Sequence, residues 1–193
     1  MNKRFLLYCG PLTVLIEWIG LLLGKLLAKD FNYDAALSTL THAAQPLPLI
    51  FGVTLTLIGI TYFLFSLALA NISKLIPIAG GIAGAMFALA GWVPYTGNGG
   101  WSDSVHNTCT YVATLGYAVM IWSVKKHPHQ TMQRISVIAL VALVLTAIWS
   151  FESVASKSLV AVSQLCMLFI FQLWTILVVW HSRKLDKVVS SLS

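Results

Sequence analysis

Six long apolar runs separated by short polar stretches make up most of this chain. They cover residues 5–27, 46–70, 75–93, 105–124, 134–151 and 158–181. A helix needs about 20 residues to cross the hydrocarbon of a bilayer, and each run meets that length. The pattern predicts an all-α fold: one integral membrane bundle of six transmembrane helices, filling residues 1–193 as a single domain.

The linkers alternate in character. Residues 28–45 are long and polar, with Asp30, Asp34 and His42, whereas 71–74 are short and basic. Residues 125–133 hold Lys125, Lys126, His127, Pro128 and His129, and the tail after 181 holds Arg183, Lys184 and Lys187. Residues 152–157 form a tight turn. The most irregular linker is 94–104. Pro94 stops the third run, Thr96 to Gly100 form a turn that no helix tolerates, and Ser102 or Asp103 is placed to cap the next helix.

Composition agrees with the pattern. The chain is 58% hydrophobic and 9% charged, where a soluble domain carries roughly 25% charged residues. The net charge of +6 does not point to nucleic acid, because the basic residues sit in short loops and tails. With the N-terminus in the cytoplasm, nine of the twelve basic residues fall inside (Lys3, Arg4, Lys74, Lys125, Lys126, Arg134, Arg183, Lys184, Lys187) and three fall outside (Lys25, Lys29, Lys157). The positive-inside rule therefore predicts both termini in the cytoplasm. Lys3 and Arg4 before an apolar run resemble a signal peptide, but Glu17 interrupts the run and no small-residue cleavage site follows, so a retained first helix is expected. Cys9, Cys109 and Cys166 lie in or beside apolar runs and read as small helix residues.

Several short features look similar to a known family. Tyr33-Asp34 followed by Ser38-Thr39-Leu40 precedes the second helix. Gly91-Trp92-Val93-Pro94 ends the third, and His106 opens the fourth about a dozen residues later. On these residues and the six-helix layout, the chain resembles the prokaryotic membrane family called domain of unknown function 998. Val93 stands where the family more often has Phe, and residues 95–100 are unusually rich in Gly. The resemblance implies a fold, outward polar positions and a bacterial or archaeal cytoplasmic membrane. It supplies no reaction.

Glu17 is the most unusual residue, a carboxylate near the middle of the first helix. Such a group costs at least roughly 2.5–3.5 kcal/mol at mid-bilayer depth. It shares a face with Thr13, Gly20 and Gly24, so it points at a packed neighbour. His106, Asn107, Thr110, Thr114 and Tyr117 form a polar stripe on the fourth helix, which suggests a hydrated or hydrogen-bonded inner face. The candidate ligand-binding residues are Glu17, Asp34, Asp103, His106, Asn107, Thr110, Thr114 and Tyr117. No metal-binding spacing, nucleotide fingerprint or nucleophile elbow is present, so no metal or cofactor is expected. His127 and His129 flank Pro128 in a basic loop that reads as facing anionic lipid. Gln164 and Gln172 on the sixth helix read as interhelical hydrogen-bond donors.

Two small-residue ridges, Gly20/Gly24 and Gly80/Gly84/Ala88, suggest close helix contacts or a surface for a membrane-protein partner or a second copy. The expected function is binding a membrane lipid or small amphipathic molecule in a pocket open to the outer side. The alternatives are a lipid-modifying enzyme, with Glu17, Asp34, Asp103 and His106 as acid–base groups, and a packing subunit of a complex.

Overall fold

The structure is a computed structural model that describes residues 2–27, 47–156 and 158–191. It contains α1 (Lys3–Leu27), α2 (Leu47–Ala68), α3 (Leu75–Trp92), α4 (Trp101–Val124), α5 (Gln130–Ser156) and α6 (Val160–Ser191), with no strand among the described residues. Each helix packs on the next in the chain, and α6 returns to close on α1. Five of the six are long and apolar enough to cross a membrane. The exception is α4, whose Asp103, His106, Asn107 and three threonines lower its apolar character. The other outward faces are lined by exposed Leu, Ile, Val and Phe, as on α1 at Phe5, Leu12, Leu15, Ile19 and Leu22. A protein in water does not leave so continuous an apolar surface bare.

Boundaries differ modestly from the sequence expectation. α4 starts at Trp101 rather than at 105, because the turn ends at Gly100. α6 runs on past 181 to Ser191, since no breaker stops it.

Between helices in lipid, packing rather than hydrophobic exclusion supplies the attraction, so small residues mark the contacts. On α2, Gly52, Gly59 and Ser66 recur every seven residues, two helical turns, and so share one face. That face meets α3 at Gly91, Gly84 and Gly80 in reverse order. At the centre the two backbones touch: a Cβ on Gly59 would collide with the Gly84 carbonyl, and one on Gly84 with the Gly59 carbonyl. Gly20 lies against Thr54, and Gly116 of α4 against Ala79 and Ala83. Gly24 is buried as well. Gly20, Gly80 and Gly84 thus make contacts inside the chain, the first of the two readings that the small-residue ridges allowed. The core between the helices sets the aromatic rings of Tyr62, Phe65, Tyr117, Phe171 and Trp174 among aliphatic side chains.

One end of the bundle gathers the start of α1, the α4–α5 turn and the later part of α6. The Arg183 guanidinium lies 5.1 Å from the centre of the Tyr8 ring. Burial, then the nearby His129, His181 and Lys3, holds His127 below the usual histidine range.

Candidate functional site

Polar side chains collect in two places, the α3–α4 corner and the middle of the bundle. At the corner, Val93 ends α3 with its N–H bonded to the Leu89 carbonyl. Pro94 follows and has no N–H to carry the helix on. The freed Val93 carbonyl is taken by His106 Nδ1 at 2.9 Å. A carbonyl only accepts, so Nδ1 carries the hydrogen of this bond. The buried His106 ring also packs against Tyr95, with centroids 5.4 Å apart.

Asp103 organises the turn beside it. Its carboxylate accepts the Thr96 N–H at 2.5 Å, the Thr96 hydroxyl at 3.1 Å and the Gly99 N–H at 2.9 Å. Gly97 and Gly99 take φ of +75° and +73°, the left-handed region where side chains are strained, which lets the amides turn inward. Burial pushes the Asp103 carboxyl up, but the Thr96 and Gly99 hydrogen bonds outweigh it and hold the group below the usual carboxylate range. Neither Ser102 nor Asp103 caps α4, contrary to expectation. The N-cap is Gly100, with no side-chain cap bond, because Asp103 reaches back to the loop instead.

The threonine stripe is satisfied by its own helix. Thr110 donates to the His106 carbonyl and Thr114 to the Thr110 carbonyl, both at 2.9 Å. This back-bonding to the preceding turn leaves those hydroxyls little call for water, so of the two readings of the stripe, hydrated or hydrogen-bonded, the threonines fit the second. Asn107 is half-buried on the same helix.

The second cluster lies at mid-depth between α1, α2, α4 and α6. Glu17 is buried and accepts a hydrogen bond from the Gln172 side chain of α6. Gln172 Oε1 in turn accepts the Trp18 indole N–H at 2.8 Å. The hydroxyls of Thr13 and Thr61 meet at 2.8 Å, and so do those of Tyr62 and Thr175. Glu17 is close enough to both Tyr62 and Tyr117 to act on them electrostatically. The Tyr62 and Tyr117 rings pack at 4.2 Å, and Phe171 and Phe87 close on Tyr117 at 4.9 and 5.4 Å. Two buried side-chain oxygens lack a hydrogen-bond partner among the described residues, the Tyr117 hydroxyl and Ser123 Oγ. Glu17 acts electrostatically on the first.

The structure thus brings Glu17 together with Tyr117 and Asp103 together with His106, in separate clusters. The eleven residues from His106 to Tyr117 measure about 16 Å along α4 at the helical rise. Glu17, Asp103 and His106 therefore do not form one acid–base set. Asp34 lies outside the described residues, as do Asp30 and His42. Four polar participants were not singled out from sequence: Trp18, Thr61, Tyr62 and Thr175. The adjacent hydroxyls Thr61 and Tyr62 in the otherwise apolar second run were the available signal.

These features define a multi-pass helical membrane protein with a locked corner and a buried polar centre. A family model matches residues 11–181, and the chain belongs to that family, described as Protein of unknown function (DUF998). No curated protein and no solved structure matches the chain. Two of the stretches that carried the resemblance meet in space, since His106 bonds the carbonyl of Val93, the residue before Pro94.

Proposed function

We propose that this chain crosses a bacterial or archaeal cytoplasmic membrane six times, with both termini inside. In it, Glu17 and Tyr117 hold the polar end of a lipid or small amphipathic molecule, as in a carrier, sensor or accessory protein. The observation that carries the ligand reading is the Tyr117 hydroxyl, buried with no hydrogen-bond partner among the described residues and within electrostatic reach of Glu17, in the middle of an apolar bundle. An unsatisfied buried group costs about 1–3 kcal/mol, and the carboxylate adds its own cost of insertion. A bundle kept only for packing has Phe and Leu to use at these positions. A hydroxyl, amide or phosphate ester that bonds both groups recovers part of each cost.

Access is from the outer leaflet, along the seam between α1 and α6, where Trp18 is half exposed to lipid while its indole holds Gln172. The corner offers no route, because its donors and acceptors bind one another. The sixth span is α4. Its 24 residues extend about 36 Å, and its inward face holds Asp103, His106 and Tyr117. Six spans bring the termini to one side, where nine of the twelve basic residues also lie.

The test is to purify wild type, Glu17→Ala and His106→Ala and to identify the co-purifying lipids by mass spectrometry. Wild type and His106→Ala should retain a specific molecule that Glu17→Ala loses. The same lipid complement in all three would make Glu17 a structural hydrogen-bonding group and remove the proposal.

A further inference from the structure

A groove lies at the end of α4 away from the corner. It is open, with a volume of about 320 Å³, and runs between the end of α4 and the start of α5, lined by Lys125, Gln133, Arg134, Val137 and Ile138. Its polar rim has two cations. Lys125 Nζ sits 3.9 Å over the Trp122 ring, which fixes the ammonium at the rim. Arg134 stands on α5 one turn before Val137 and Ile138, so all three share a face. Gln133 Nε2–H donates to the His127 carbonyl at 2.9 Å and ties the α4–α5 turn to the first turn of α5. None of the residues that line the groove is a carboxylate. The floor of the groove is apolar and open: Val137 is 43% and Ile138 69% exposed.

We propose that this groove binds the headgroup of an anionic phospholipid. The phosphate sits between Lys125 and Arg134, and one acyl chain runs down the outer face of α5 over Val137 and Ile138. Charge selects the occupant. Two cations without a carboxylate favour net negative headgroups over zwitterionic ones, and basic sites between helices at the cytoplasmic surface bind such lipids. The apolar floor selects a lipid over a free anion, since inorganic phosphate gains nothing from Val137 or Ile138. The Glu17 reading is not needed for this site.

The experiment uses the full chain in detergent, with dioleoyl phosphatidylglycerol or dioleoyl phosphatidylcholine added, and counts bound lipids by native mass spectrometry. Wild type should bind the anionic lipid in preference, and the preference should fall roughly fivefold for each cation removed in Lys125→Gln and Arg134→Gln. Lys74→Gln removes an exposed cation at the same end but outside the groove, and should keep the wild-type preference. Excess inorganic phosphate should not displace the lipid. Equal loss in Lys74→Gln, full retention in a variant carrying both Lys125→Gln and Arg134→Gln, or displacement by phosphate would each overturn the site. Photo-crosslinking wild type with a headgroup-labelled phosphatidylglycerol gives a readout that needs no variant. The label should fall on the peptide spanning 122–138, and labelling elsewhere with none there refutes the proposal.

Discussion

Asp103 and Glu17 are both buried carboxylates on the inner faces of their helices, yet their surroundings differ in kind. Asp103 faces a turn, and a turn has backbone N–H groups to give. Thr96 and Gly99 supply theirs, and the neighbouring histidine takes a carbonyl that Pro94 left free. Glu17 faces helices whose backbone groups are already used in their own ladders. It must be satisfied by side chains alone, and the Tyr117 hydroxyl within its electrostatic reach has no hydrogen-bond partner among the described residues. A charged residue at a helix end is thus readily absorbed into the fold. The same residue at mid-depth stays expensive unless something else binds it.

The largest effect expected of any single change lies outside both regions and sets the scale for them. Gly84→Leu forces a side chain into the Gly59 carbonyl, and two backbones cannot both yield. The cost should be roughly 1–3 kcal/mol or more, read as a fall in thermal midpoint in detergent. Gly100→Ala is the control, with open space around it and an ordinary φ of −74°. A wild-type midpoint for Gly84→Leu would dissolve the α2–α3 contact.

Next in size is the corner. Asp103→Asn keeps the shape but removes the charge that its donors serve, so the thermal midpoint should fall near neutral pH. The carboxyl is held below its ordinary value of 3.8 in the folded protein. Its contribution is therefore fully present above that value and is lost as pH falls through the folded value. The gap between wild type and Asp103→Asn should close in that acid range. A gap that stays constant into strong acid would mean that the corner does not depend on the charge, and the contrast with Glu17 would weaken.

The all-helical fold was legible because every apolar run is long and sharply bounded. The inner face of α1 was legible as well, since Thr13, Glu17, Gly20 and Gly24 recur at helical spacing and all are buried. The roles at the corner were not. Asp103 and Ser102 look like helix caps, and only the left-handed turn at Gly97 and Gly99 brings the loop amides to Asp103 in place of the helix. The α2 ridge was missed because its spacing is seven rather than four, which sets Gly52 and Gly59 two turns apart with large residues between them. The Thr110 and Thr114 stripe left two readings open, because a hydroxyl on an inner face reads the same whether it meets water or its own helix.

The smallest expected effect separates the two tyrosines of the centre. Tyr62 and Tyr117 pack ring on ring at 4.2 Å and differ in one bond: the Tyr62 hydroxyl meets Thr175 at 2.8 Å, and the Tyr117 hydroxyl has no hydrogen-bond partner among the described residues. Tyr62→Phe strands the Thr175 hydroxyl and should cost about 0.5–1.5 kcal/mol. Tyr117→Phe keeps the contacts with Tyr62, Phe87 and Phe171 and removes only a group that pays for its burial. In protein stripped of lipid by extensive detergent washing it should therefore be neutral or raise stability by up to about 1 kcal/mol. When the co-purifying molecule is left in place, the order should reverse, because wild type then gains a bond that Tyr117→Phe lacks. Thermal midpoints of both variants, with and without stripping, decide the matter. If Tyr117→Phe falls as far as Tyr62→Phe in stripped protein, the Tyr117 hydroxyl has a partner in the empty fold, and the centre is as self-contained as the corner.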